Sequence, residues 1–171
     1  MPTIIPIMNH TPTWGEACFI ADNATLIGDV VMGHHCSIWF QAVVRGDVHS
    51  IRIGNFTNIQ DGAILHATYQ QASLDIGDYV SIGHRAIIHG CSIHNEVLIG
   101  MGAIVMDKAV VEKHCIIAAG AVVTEGMHCQ SGGIYAGVPA RRIKDVSAEL
   151  IKNQILRIGN NYIMYASWYS K

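Results

Sequence analysis

The sequence predicts an all-β chain wound as a parallel β-helix of triangular cross-section, followed by one C-terminal α-helix. Three observations carry that expectation. Apolar residues recur at every sixth position, a small or β-branched residue stands four places after most of them, and glycine often follows the apolar anchor directly. A fixed six-residue period marks a hexapeptide solenoid in which each unit is a short strand and a corner. A helical reading fails, because a period of six sends successive anchors to different faces of an α-helix.

The anchors fall in four series. Ile20, Leu26, Met32, Ile38 and Val44 form the first, and Ile53, Ile59 and Leu65 the second. Ile76, Ile82 and Ile88 form the third, and Ile93, Ile99, Val105, Val111, Ile117 and Val123 the last. Four places on come Ala24, Val30, Cys36, Ala42, Thr57, Ala63, Val80, Ala86, Ala103, Ala109, Cys115 and Ala121. Three units close one coil, coils stack by parallel pairing about 4.8 Å apart, and the anchors fill the prism. The series break at 44–53, 65–76 and 88–93, where loops or register shifts belong at the corners. "GVPARRIKD" (137–145) then ends the repeat with a proline-bearing turn.

The repeat domain is therefore expected over 1–146 and a helical segment over 147–171. Ser147 is placed to cap a helix running to about Tyr169. Ile151, Ile155, Ile158, Tyr162, Tyr165 and Tyr169 give it one apolar stripe, to lie along a prism face or a neighbouring subunit. Gly159 interrupts that helix at a cost of about 1 kcal/mol against alanine.

The 171 residues are 50% hydrophobic and only 14% charged, a surface suited to finishing its burial against copies of itself. A net charge of −2 gives no basic footprint for nucleic acid or an anionic membrane. No apolar run reaches the roughly 18 residues of a membrane span, and "MPTIIPIMNH" lacks the basic start of a signal peptide. A cytoplasmic compartment is expected. The five cysteines show no CxxC pairing and are expected as reduced thiols, with Cys18 and Cys36 one coil apart at an inward position.

Ten histidines need sorting. Rotating the anchors over three faces puts Val44, Leu65 and Ile88 on one face of successive coils. Arg45, His66 and His89 follow them directly, and strand alternation turns these outward. His66 and His89 then stand one rung apart, close enough to converge on one ion at about 2.0–2.1 Å each. His84 falls on the preceding face, above Asp61. Three prisms around a threefold axis would bring one chain's His84 to the next chain's His66 and His89, giving three shared sites per homotrimer. His10, His34, His35, His49, His94, His114 and His128 have no such relation and read as surface residues.

At these residues the sequence resembles the gamma-class carbonic anhydrase family, particularly its short bacterial members. The matching stretches are "RGDVHSIRIGNFTNIQDGAILH" (45–66), "IGHRAIIHGC" (82–91), "VLIGMGAIV" (97–105) and "YAGVPARRI" (135–143). The resemblance covers nearly the whole chain. Its spaced histidines with RGD and NIQD are specific, whereas many acyltransferases share the hexapeptide repeat. It implies a left-handed β-helix, a trimer with metal between subunits, and reversible hydration of CO2 to bicarbonate by a metal-bound hydroxide. His66, His84 and His89 are then the ligands of zinc, or of iron(II) as in some members. Arg45 and Asp47 are implied to pair across the interface and Asp61 to orient the site. Gln60 is implied to hydrogen-bond the metal-bound water, with Asn58 an auxiliary polar residue and Tyr162 a helix tyrosine near the site. The sequence departs from the family prototype where protons are exported. Val48 stands in place of a glutamate, and the loop "HATYQQASLDI" holds only Asp75, leaving His49 and Tyr69 as candidate carriers.

Other readings remain. A hexapeptide acyltransferase, with one histidine as general base, shares the fold but gives the other two histidines no role and lacks a long acceptor-binding loop. Thioester hydrolysis at the same centre and a non-catalytic, metal-stabilised trimer are the others. Metal content separates the anhydrase from the acyltransferase, and turnover separates it from the structural trimer.

Overall fold

Of the anchors named above, all but Ile20 are buried in the computed structural model, which describes residues 1–169. The twelve small or β-branched residues that follow them are buried as well. The reason is stacking in register. On one face Ile20, Ile38, Ile59, Ile82, Ile99 and Ile117 pair in parallel from coil to coil and end on Tyr135. A second face stacks Leu26, Val44, Leu65, Ile88, Val105 and Val123. The third stacks Met32, Ile53, Ile76, Ile93, Val111 and Cys129. The chain is a left-handed parallel β-helix of about 7 turns.

Closing a triangle takes a left-handed residue at its corners. One corner column consists of Ala17, His35, Phe56, Tyr79, Glu96 and His114, all at positive φ. Side chains from the coil above cap the backbone beside it. Glu16 N–H donates to His34 Nδ1 (3.0 Å), His34 N–H to Asn55 Oδ1 (2.9 Å), and Asp78 N–H to Asn95 Oδ1 (2.9 Å). Asn55 N–H donates likewise to Asp78 Oδ1 at 2.6 Å. These bonds satisfy corner donors that strand pairing does not reach. The rings of His35, Phe56 and Tyr79 stack along the same column, with centroids 5.0 and 4.6 Å apart. His34 and His35 are exposed, as expected, and help build this corner.

The breaks in the period are resolved at corners, as expected. The strand Val43–Ile53 runs unbroken from one face to the next, paired with Thr25–Met32 through a register shift at Gly28/Val30. The second break is a loop over 67–73, closed by backbone bonds between Thr68 and Ala72. The third is the tight turn at Gly90. Beyond the cis Val138–Pro139 bond the chain reverses, and Arg141–Asp145 pairs antiparallel with Gly133–Ala136, a hairpin the hexapeptide period does not signal.

Ser147 Oγ accepts the Leu150 N–H at 3.2 Å, the cap that opens the helical segment 148–167. It includes one π-helical stretch, Ile151–Leu156, and ends at Ser167, two residues short of the expected Tyr169. Its stripe docks on the Ile38 face of its own prism. Tyr162 packs on Trp39 (centroids 5.2 Å), and Tyr169 on Phe19 (5.1 Å), Trp39 (5.6 Å) and Phe40 (5.7 Å). No helix among the described residues is long and apolar enough to cross a membrane. All five cysteines are free thiols, those of Cys18 and Cys36 donating to the carbonyls of Gly33 and Gly54.

Gly159 is buried where the helix crosses the corner column, and a Cβ there would meet Tyr79 Cδ1 at 3.6 Å, an ordinary contact. Gly159→Ala is therefore expected to raise stability by up to about 1 kcal/mol through helix propensity. The urea unfolding midpoint checks this, and a lower midpoint would mean that the Tyr79 ring leaves no room.

Candidate metal centre

The pairing of Ile87–His89 with Ile64–His66 sets His89 directly on His66. Their rings meet edge to face with His66 Nδ1 3.0 Å from His89 Nε2. The opposite nitrogens are both taken. His66 Nε2 lies 3.1 Å from Asp47 Oδ1, and His89 Nδ1 lies 2.6 Å from Asp107 Oδ1. An ionised carboxylate only accepts, so each ring carries its proton on the aspartate side and turns a lone pair toward the other ring. Two lone pairs at that distance repel unless a cation lies between them. Imidazoles whose tautomer is fixed by a carboxylate form the donor set that transition metals take.

The surrounding charges favour the same state. Burial pushes the Asp47 carboxyl up, but hydrogen bonds from Arg45 and His66 outweigh it and hold the group below the usual carboxylate range. Asp107 is held low in the same way by Thr68 and His89. Burial lowers the pKa of His66 and nearby Arg45 adds to this, while the bond to Asp47 opposes it; the net shift is downward, toward neutral imidazole. Arg45 reaches Asp47 Oδ2 at 2.7 Å within the same chain. Residues i and i+2 of one strand share a face, which brings the two side chains together within the chain.

His84 stands apart on the face of Ile82, over Asp61, as the register of Ile59 and Ile82 requires. Its Nδ1 is 2.9 Å from Asp61 Oδ2, and its Nε2 has a longer contact, 3.4 Å, with the Tyr162 hydroxyl. Burial and the Asp61 charge push the Tyr162 phenol up to about 12, so it stays a proton donor at neutral pH. Among the described residues no three His, Cys, Asp or Glu side chains gather closely enough to hold a metal. One chain offers a pair and, separately, a single histidine.

Gln60 and Asn58 are buried and wired in one direction. Gln60 Nε2 donates to Asn58 Oδ1 (3.0 Å), and Asn58 Nδ2 donates to Ser81 Oγ (2.8 Å). That order of donation makes Gln60 Oε1 the group presented as acceptor. Gln60 and His84 line a cavity of ≈ 350 Å³ together with Met101, Asn161, Tyr162 and Tyr165. An aromatic cavity of ≈ 460 Å³ is lined by Trp39, Asp61, Tyr162 and Trp168 among others.

The candidate proton carriers are placed less favourably. His49 Nδ1 accepts the Ser50 N–H at 2.9 Å, so its ring must drop that bond to take a second proton. It lines a cleft of ≈ 170 Å³ with His10, Asp29 and Asp47. Tyr69 is exposed, with its hydroxyl bonded by Gln70, and Asp75 is bonded by Ser73. Sequence reasoning passed over Asp107, Thr68 and Ser81. Asp107 stands 18 residues after His89 but one residue off the outward column, which continues from His89 to Met106.

The carbonic anhydrase of Geobacillus kaustophilus (strain HTA426) is 37% identical over 166 residues, which is 97% of this chain and 90% of that protein. Mitochondrial gamma carbonic anhydrase 1 of Arabidopsis thaliana is 40% identical over 154 residues, 87% of this chain. This chain belongs to the gamma carbonic anhydrase family. It spans 56% of the length of the Arabidopsis relative. The model for the bacterial transferase hexapeptide (six repeats) matches residues 90–125, in the regular coils beyond His89. Among solved structures, a hexapeptide transferase family protein from Anaplasma phagocytophilum superposes with a TM-score of 0.92 at 38% identity, covering 98% of each chain.

Asn58→Ala is expected to leave the Gln60 amide and the Ser81 hydroxyl without their buried partner, at a cost of about 1–3 kcal/mol. Urea denaturation measures the loss. An unchanged midpoint would show that the relay is not a structural constraint.

Proposed function

We propose that the chain catalyses the reversible hydration of CO2 to bicarbonate at a zinc site, iron(II) being the alternative metal, shared between subunits of a homotrimer. The observation that carries this reading is the facing pair His66 Nδ1 and His89 Nε2, each with its tautomer set by an aspartate. His66 and His89 of one subunit would hold the metal with His84 of the next. Support for the partner comes from the outward residues beside the pair, since Ile64 and Ile87 are exposed apolar residues stacked in register on the same face. When bound, zinc supplies the Lewis acidity that lowers the pKa of a coordinated water toward about 7.

The chain's own groups do the rest. Asp47, Asp61 and Asp107 hold the proton of each neutral ring on the nitrogen turned away from the metal. Gln60 Oε1, held by Asn58 and Ser81, accepts a hydrogen bond from a water in the site and fixes its direction. The Tyr162 hydroxyl, 3.4 Å from His84 Nε2, would give up that nitrogen to the metal and be left to donate to a water or to bicarbonate in the site, and the apolar walls at Met101 and Tyr165 suit a molecule as weakly polar as CO2. Each turnover releases a proton. Since His49 and Tyr69 are not hydrogen-bonded to His66 or His89 among the described residues, turnover is expected to rise with external buffer concentration.

Stopped-flow CO2 hydration by protein loaded with zinc or, without oxygen, with iron(II) tests the activity. Metal-dependent turnover that falls to the uncatalysed rate in His66→Ala is expected. A fully loaded trimer without turnover would leave the non-catalytic trimer, or another carbonyl substrate, as the function.

Sharing of the site has its own test. His84→Ala should lose metal while keeping the β-helix circular dichroism, and full metal occupancy in that variant would refute the shared site. His66→Ala and His84→Ala chains mixed and reassembled are expected to recover activity in about a quarter of the sites, because a hybrid trimer rebuilds one complete ligand set.

A further inference from the structure

We infer that Asp107 and Thr68 are positioning residues that fix the tautomer and aim of His89 and fasten the 67–73 loop to the metal pair. The inference rests on the reading of His66 and His89 as metal ligands. Its basis is one carboxylate used at both ends. Asp107 Oδ1 takes His89 Nδ1 at 2.6 Å, and Asp107 Oδ2 takes the Thr68 hydroxyl at 2.7 Å. Thr68 in turn closes the loop through its backbone bonds to Ala72, so the hydroxyl is carried by an anchored segment.

The backbone is shaped around this contact. Gly90, next to His89, sits at φ +49, and a Cβ there would overlap Asp107 Oδ1 and crowd the Cβ of Ala72. Only glycine lets the carboxylate and the loop close on the turn together. With this bridge, the three histidines follow one rule: Asp47 serves His66, Asp61 serves His84 and Asp107 serves His89.

The chemical consequence is specific. With Asp107 accepting from Nδ1–H, His89 presents the Nε2 lone pair to His66. Without it, His89 is free to carry its proton on Nε2 and donate to His66 Nδ1. The pair then closes as an ordinary hydrogen bond and both nitrogens are lost as ligands. Thr68 acts one step further out, by keeping the carboxylate from swinging away from the ring.

The test has two readouts. The His89 tautomer is read in the metal-free protein by long-range 1H–15N NMR of the imidazoles, and affinity for zinc alone by competition with a chromophoric chelator. Wild type is expected to show His89 protonated at Nδ1. Asp107→Ala should move that proton toward Nε2 and lower zinc affinity about 10–100-fold. Thr68→Val should shift both readouts in the same direction by less, and Thr68→Ser should restore them. Thr68→Val also keeps the inference testable where Asp107→Ala fails to fold.

An unchanged tautomer in Asp107→Ala overturns the inference even where affinity falls, because the loss is then only structural. An unchanged affinity overturns it too. A wild-type chain that takes up no zinc sinks the metal reading itself, while the tautomer still decides, separately, whether Asp107 sets His89.

Discussion

Each coil of this chain satisfies its strand backbone by pairing with the coils above and below, so a residue's place within its coil decides its neighbours through the whole stack. The pairing is in register on all three faces, and side chains therefore stand in columns. Inward columns of Ile, Leu and Val make a dry core. The outward columns are free to carry chemistry, and two adjacent rungs of one column supply His66 and His89. The same register puts His84 over Asp61 and Asn58 beside Ser81. A scaffold of this kind positions functional groups with strand precision, although their sequence separations are 18 to 23 residues.

A second constraint concerns polarity. An imidazole has two nitrogens, and a ligand must offer one of them unprotonated. The chain settles this with aspartates rather than with burial alone, and each comes from a neighbouring position on the stack. The carboxylates are held ionised by the same contacts that use them: Arg45 on Asp47, and the Thr68 hydroxyl on Asp107. Gln60 is oriented by the same principle, since its amide donates along a one-way chain and its carbonyl oxygen is what remains to accept. Around the buried Asn58 and Gln60 such fixed dipoles count for more than they would in water.

Much of this was legible because a hexapeptide period converts position in sequence directly into position in space. Counting anchors was enough to place His66 on His89 and His84 over Asp61, while the Ser147 cap followed from its residue type ahead of an apolar stripe. What escaped was whatever the period does not encode. The Arg141–Asp145 hairpin depends on a chain reversal after the last coil, and the helix stops at Ser167 for lack of any sharp end signal. Gly159 made no sense from the helix alone, because its neighbour Tyr79 is a corner residue some eighty positions earlier. Asp107 stands one residue off the outward column, which continues from His89 to Met106, so the period does not point to it.

The aromatic seam between helix and prism has an optical consequence. Tyr162 touches Trp39 and also reaches toward His84, while Tyr165 packs on Trp168 and Tyr169 on Trp39. Two of the three indoles of this chain therefore lie along the strap that presses a phenol toward a candidate ligand. Lifting the strap takes Tyr162 and Tyr169 from Trp39, leaving it only Phe19 and Phe40, in the same movement that takes Tyr162 from His84. The protein thus carries its own fluorophores at the point where the integrity of the site and the seating of the helix are one event, and indole emission can follow both without a label.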